Sequence, residues 1–182
     1  MNKKWITLFL WMGIFHLNAQ KFYTKNAQIE FYSKAPLENI EAHNNTAACI
    51  IDQKTGQMQF SVLIKAFEFQ KALMQEHFNE NYMESDRFPK ADFRGQIINN
   101  NEIDYNKRGT YNARVKGKLT IHGITKDVEA TGTLSIADQF EISSVFTVLL
   151  SDYNISIPAL VKDKISNTVK VTVTGKLSLF KE

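Results

Sequence analysis

The chain has 182 residues, of which 43% are apolar, and its 22 Lys and Arg against 19 Asp and Glu give a formal net charge of +3. This composition excludes a wholly disordered or a collagen-like chain, and the length suits one domain. The single cysteine excludes a disulfide framework within the chain and any site that needs several thiolates. A hydrophobic core must therefore hold the fold together without covalent help.

The first 19 residues have the layout of a cleaved secretory signal peptide. Two lysines precede a thirteen-residue apolar stretch, Trp5–Leu17, and a small-residue cleavage site ends at Ala19. A permanent membrane anchor is the alternative, but a spanning helix needs roughly 20 apolar residues. Removal of residues 1–19 lowers the net charge to +1, which leaves nucleic-acid binding without support. We therefore expect a secreted protein with one domain over residues 20–182.

Apolar and polar residues alternate along most of this domain, which predicts β-strands with one buried face. The clearest strands are 57–65, 111–121, 128–136, 140–150 and 169–179, and shorter ones are 28–33, 46–52 and 91–98. The segment His122–Lys126 reads as the turn of a hairpin. Short connections favour antiparallel neighbours, because parallel strands would need a helix in most crossovers.

One helix is predicted, over Gln70–Tyr82. Its apolar stripe consists of two sets at four-residue steps, Leu73 with His77, and Met74 with Phe78 and Tyr82. Phe67 and Phe69 break the alternation of the preceding strand, which indicates either a β-bulge or a role beside the helix. The domain is therefore predicted to be all-β apart from this one short amphipathic helix.

A sheet of eight strands with one apolar face must hide that face, either in a sandwich or by closing into a barrel without edges. Gly117, Gly132 and Gly175 lie on the apolar face of three long strands. There they permit a sharp bend or leave room for a facing aromatic ring. The sequence predicts an eight-stranded antiparallel barrel with the helix near its mouth.

Such a barrel is either filled by its own side chains or holds a small ligand. The inward face is almost free of charge, so an open interior would accept an apolar chain, with about 0.8 kcal/mol for each buried methylene. The candidate lining residues are Met58, Phe60, Val62, Ile64, Phe93, Leu119, Ile121, Leu134, Phe146, Val148, Val171 and Val173, and Phe67, Phe69, Leu73 and Phe78 are expected to cap one end. A packed core is the alternative.

The titratable residues give little sign of catalysis or metal binding. His77 is a candidate hydrogen-bond partner for a ligand headgroup, and the alternative is a partly buried side chain that fixes the helix to the barrel. His122 is expected to bond the local backbone, and His43 has no evident partner; neither His-x-His nor His-x-x-x-His spacing occurs, so no metal is expected. Cys49 reads as a small buried hydrophobe. Without a nucleophile elbow or a phosphate-binding loop, we expect no enzyme.

Two stretches, Phe67–Phe93 and Lys116–Asp127, resemble the YceI-like family of secreted bacterial proteins. In the first, the histidine and apolar pair His77–Phe78 precedes the strand start FPKADF at Phe88–Phe93. The second contains the hairpin GKLTIHGITK at Gly117–Lys126. The order of these motifs along the chain is similar to that of the family.

The resemblance extends from about Ile29 to Leu179. It implies a lipocalin-like barrel in the periplasm that encloses a long isoprenoid chain, such as a quinone tail or a polyprenyl lipid, with no other cofactor. The expected function is therefore that of a non-catalytic carrier. The alternative is a packed barrel that acts as an interaction or stress-response module of the cell envelope, and a homodimer remains open.

Overall fold

The computed structural model describes residues 20–180, so the expected signal peptide lies outside the described residues. The strands are β1 Lys21–Lys34, β2 Asn39–Asp52, β3 Gln57–Leu63, β4 Glu68–Phe69, β5 Lys90–Ile97, β6 Gly109–Ile121, β7 Ile124–Ile136, β8 Phe140–Leu149 and β9 Thr168–Leu179. The α-helix α1 spans Ala72–His77 and continues as a π-helix over Phe78–Tyr82. No helix among residues 20–180 is both long and apolar enough to cross a membrane.

The eight long strands form one closed antiparallel barrel. Each pairs with its neighbours in the order β1, β2, β3, β5, β6, β7, β8 and β9, and the ladder between β9 and β1 completes the circle. The two-residue strand β4 adds only a short pairing to β2. Closure leaves the apolar face inside, as the alternation requires. The predicted fold, an eight-stranded antiparallel barrel with one short helix, is confirmed.

The two ends of the barrel are built differently. The mouth is the end that carries α1, the turns after β1 and β6, and the connection between β8 and β9; the base carries the other turns. At the base, Phe22, Tyr105 and Phe140 stack, and the ring centroids of Phe22 and Phe140 are 4.4 Å apart. These rings belong to the main hydrophobic core. The base is therefore closed by the protein's own side chains.

Strand β2 changes partner halfway along its length. Its half near the base pairs with β3, and its half near the mouth pairs with β4. Asn44 is fully buried at this change. Its amide group donates to the carbonyl oxygen of Leu63 at 2.8 Å, and its Oδ1 accepts from the main-chain amide of Thr46 at 2.9 Å. Asn44 thus satisfies the main-chain groups that the change of partner leaves without ladder bonds.

Several predicted boundaries differ from the structure. β1 and β2 begin seven residues earlier than the predicted strands 28–33 and 46–52. The register between β1 and β2 shifts on both sides of Ala27. The set of alternate residues that points into the barrel therefore changes within each strand, and the alternation is not visible over the whole strand. β3 ends two residues early in a 3₁₀ turn, Ile64–Ala66, so this turn rather than a bulge breaks the alternation before Phe67.

Gly117 shows what an inward glycine does in this barrel. A Cβ atom at this position would lie 2.5 Å from the carbonyl oxygen of Arg94 and 2.7 Å from the ring of Phe93. The main-chain atom cannot yield to such a contact without moving β5. The two predicted roles were a sharp bend and room for a facing aromatic ring. Gly117 has the second role, because it leaves room for the ring of Phe93.

Candidate ligand cavity

A cavity of about 1280 Å³ runs from the middle of the barrel to the mouth. Its volume exceeds the roughly 300–1000 Å³ of ordinary small-molecule pockets. All of the residues predicted from the sequence lie on its wall: Met58, Phe60, Val62, Ile64, Phe67, Phe69, Leu73, His77, Phe78, Phe93, Leu119, Ile121, Leu134, Phe146, Val148, Val171 and Val173. That these residues bind a ligand stays a prediction.

Inward positions of the long strands form the inner wall of the cavity, and their side chains are hydrocarbon or aromatic apart from a few, such as Ser33 and Ser144. Met58, Val62, Leu134 and Val148 are buried, whereas Phe60 and other large residues are only partly buried because they face the empty space. Partial burial of inward apolar residues means that the side chains do not fill the barrel by themselves. The open interior is the first requirement for enclosing an apolar molecule.

Four phenylalanines form a cluster beside the helix at the mouth. Phe31 of β1 contacts Phe67, Phe69 and Phe78, with ring centroids 5.3 to 5.7 Å apart. The rings of Phe69 and Phe78 are 5.0 Å apart. This phenylalanine cluster fixes the helical segment to the barrel and gives the cavity a rigid aromatic wall.

Leu73 and His77 do not take the positions that the sequence indicated. Leu73 is 61% exposed, and His77 is exposed as well, although both touch the outer part of the cavity. Met74 and Phe78 instead face the barrel, because a helix rotates about 100° per residue and one narrow side meets the cluster. The interpretation of His77 as a partly buried anchor is therefore wrong, and Leu73 belongs to the rim of the mouth rather than to a closed cap.

The barrel wall has a lateral opening between β7 and β8. Their ladder runs only from Gly132–Ser144 to Ile136–Phe140. Towards the mouth, β7 pairs only with β6 and β8 only with β9 among the described residues. The cavity reaches residues on both faces of the separated strand halves, including outward Glu129 and Thr147. The cavity therefore opens sideways as well as at the mouth.

Hydrogen bonds border the lateral opening at both ends. At its lower end, the hydroxyl of Ser144 donates to the carbonyl oxygen of Thr131 at 2.7 Å. At the mouth, Nδ1 of His122 donates to the carbonyl oxygen of Tyr153 at 3.1 Å, and Nε2 lies 3.1 Å from Oε1 of Glu84. The prediction that His122 bonds its local backbone is wrong, because the left-handed backbone at His122 directs its ring to other segments.

An ion pair lies at the edge of the mouth. The Lys71 ammonium donates to Glu38 Oε1 at 2.8 Å, and both residues border the cavity. This hydrogen bond, with further attraction from Lys71 and Lys164, holds the pKa of the Glu38 carboxyl below its usual value. The polar groups of the cavity therefore include opposite charges at its entrance.

Two other groups named from the sequence lie away from the cavity. His43 has partners on the outer surface: its Nε2 is 3.1 Å from Glu41, and its Nδ1 is 3.8 Å from Glu30. All three side chains are exposed, and contacts of His43 with Glu30 across the strands and with Glu41 along β2 account for the cluster. Cys49 is buried in the core, and burial raises the pKa of its thiol.

The sequence analysis missed part of the wall. Ile29 and Phe31 lie on β1, and their alternation with polar neighbours was a usable signal. Lys164 and Ile165 lie in the irregular connection between β8 and β9, where no periodicity marks inward positions. Only tertiary folding brings this connection to the mouth.

The fold and the cavity define a class of protein, the small closed antiparallel barrel with an apolar interior. Among solved structures, a polyisoprenoid-binding domain from Saccharophagus degradans superposes with a TM-score of 0.72 at 12% identity, over 88% of this chain and 98% of that chain. BcnA from Burkholderia cenocepacia gives a TM-score of 0.68 at 16% identity, over 84% and 96%. The YceI protein of Campylobacter jejuni gives 0.50 at 12% identity, with both chains fully covered.

The sequence profile of the YceI-like domain matches residues 16–177. The chain belongs to the YceI-like domain family, as its motifs indicated. No curated protein matches the sequence. At these low identities the structural neighbours establish the fold alone.

Proposed function

We propose that this protein is a non-catalytic carrier that encloses a long apolar chain of the isoprenoid type in its barrel. The single observation that carries the proposal is the apolar cavity of about 1280 Å³, open at the mouth and through the wall. A long, flexible hydrocarbon chain suits a deep, mainly apolar cavity with few inward hydrogen-bonding groups, because its affinity comes from buried apolar area. The polyisoprenoid-binding domain with the same fold supports this choice of ligand.

The proposed setting is the bacterial periplasm, reached after removal of residues 1–19. The support is the signal-peptide pattern in the sequence. Both tryptophans of the chain, Trp5 and Trp11, lie in this segment. The exported protein should therefore lack tryptophan fluorescence, and its first residue by N-terminal sequencing should be Gln20. Tryptophan emission from purified exported protein would contradict cleavage.

Ligand extraction from protein purified out of its own cell envelope tests the carrier function. We expect organic extraction and mass spectrometry to recover about one isoprenoid per chain. Phe60→Arg places a charge inside the cavity and should remove the ligand, whereas Gln59→Arg changes the neighbouring outward residue and should retain it. Circular dichroism confirms that each variant is folded.

A second variant keeps the test decisive if Phe60→Arg fails to fold. Val171→Trp fills part of the cavity with an apolar ring, so it should reduce ligand recovery without introducing a charge. Full recovery of ligand from both folded variants would reject binding inside the barrel. Empty wild-type protein from the native envelope would favour the interaction-module alternative.

A further inference from the structure

Three exposed leucines surround the mouth of the cavity. Leu160 is 97% exposed, Leu37 is 70% exposed, and Leu73 is 61% exposed. Together, leucines this exposed on neighbouring segments offer apolar area that a partner can bury. These three residues are called the leucine rim below.

Direct contacts hold the three segments of the leucine rim together. The main-chain amide of Leu37 donates to the carbonyl oxygen of Asp163 at 2.9 Å, three residues beyond Leu160. Glu38, next to Leu37, forms the ion pair with Lys71 at the start of α1, two residues before Leu73. The leucine rim is therefore one surface built from three parts of the chain, and two of its residues do not touch the cavity.

Basic residues accompany the leucine rim. Lys34, Lys162 and Lys164 lie on its segments, and among residues 20–180 none of them has a carboxylate within 4.0 Å. Lys34 and Lys162 border a shallow groove at the mouth, beside the groove's Ile165. The carboxylates on the same segments are Glu38, which is paired with Lys71, Glu76 of α1, and Asp163. The surface thus combines protruding hydrocarbon with a net positive charge of one, since four lysines, Lys71 included, stand against three carboxylates.

We propose that the leucine rim docks the mouth of the barrel onto an anionic lipid surface. Lipid interfaces bind apolar side chains that reach below the headgroups, and anionic headgroups add about 1 kcal/mol for each nearby lysine. The mouth of the apolar cavity would then face the hydrocarbon phase. Docking onto lipid does not require the proposed function. The use of docking to load a hydrocarbon chain into the cavity does rest on the proposed function.

Vesicle co-sedimentation of the exported protein tests this surface. We expect binding to vesicles of phosphatidylethanolamine and phosphatidylglycerol, and at least tenfold weaker binding to phosphatidylcholine alone. The double variant Leu37→Ser and Leu160→Ser should bind anionic vesicles about tenfold more weakly, because the apolar area for insertion is lost. The matched control, Leu179→Ser with Phe180→Ser, removes exposed apolar residues at the base and should bind like the wild type.

Charge reversal provides the second variant. Lys34→Glu with Lys162→Glu should weaken binding to anionic vesicles about tenfold and reduce its dependence on salt. Unchanged binding by both rim variants, or equal binding of the wild type to neutral and anionic vesicles, would overturn the proposal. Extraction of bound lipid from the same samples separates the two proposals, since an empty barrel that still docks contradicts only the carrier function.

Discussion

Ser144 of β8 donates its hydroxyl hydrogen to the carbonyl oxygen of Thr131 on β7, at 2.7 Å, where the ladder between these strands ends. From this point to the mouth the two strands separate and the cavity extends through the wall. A side-chain hydrogen bond thus takes the place of the next main-chain pair. The lateral opening has a defined lower limit.

Amide hydrogen exchange should reveal the lateral opening in solution. Within β7, the amides that point towards β8 should exchange quickly over 125–131 and slowly over 132–136, because only the second range pairs with β8. Site-resolved exchange measured by NMR checks this contrast inside one strand. Uniform protection along β7 would mean that the barrel closes completely.

Replacement of His122 should destabilise the mouth. His122→Ala removes the contacts with Tyr153 and Glu84 and an edge contact with Phe88, whose ring centroid is 4.6 Å away. We expect the free energy of unfolding in urea to fall by about 2 kcal/mol. His77→Ala is the control, because His77 is exposed and its loss should change stability by less than about 0.5 kcal/mol. Equal effects of the two substitutions would contradict the assignment.

Alkaline unfolding should depend on Tyr105. Burial, together with the negative charge of Asp52, raises the pKa of its phenol to about 12. The unfolded chain loses this proton near pH 10, so the stabilising contribution is complete below pH 10 and disappears as the pH rises towards 12. Tyr105→Phe should therefore reduce the loss of stability between pH 10 and 12. Chemical denaturation at several pH values measures this difference, and an unaltered pH profile would count against a raised pKa.

The Cys49 thiol should be protected from reagents. Its side chain is buried in β2 and burial raises its pKa, so little thiolate forms at neutral pH. Ellman's reagent should react with one thiol per chain in guanidinium chloride and with almost none in the native protein at pH 8. Rapid reaction of the native protein would show that β2 opens or that the core around Cys49 is loose.

Much of the barrel follows from local sequence rules. The alternation in β6, β7, β8 and β9 indicated which side chains point inwards, because the pleat of a strand fixes that parity. For this reason Phe146 and Val171 could be placed on the wall without a structure. This rule failed in β1 and β2, because register shifts near Ala27 change which alternate residues point inwards. It also failed before Phe67, because a 3₁₀ turn interrupts the strand there.

The sequence by itself determined the strand pattern, the short helix and the apolar character of the interior, since each depends on residues close together in the chain. Only the tertiary structure decided that the barrel is hollow, that β7 and β8 separate, and that His122 meets Tyr153 and Glu84. Empty volume and long-range contacts depend on how all the strands curve and stagger together. No local period in a sequence records that arrangement.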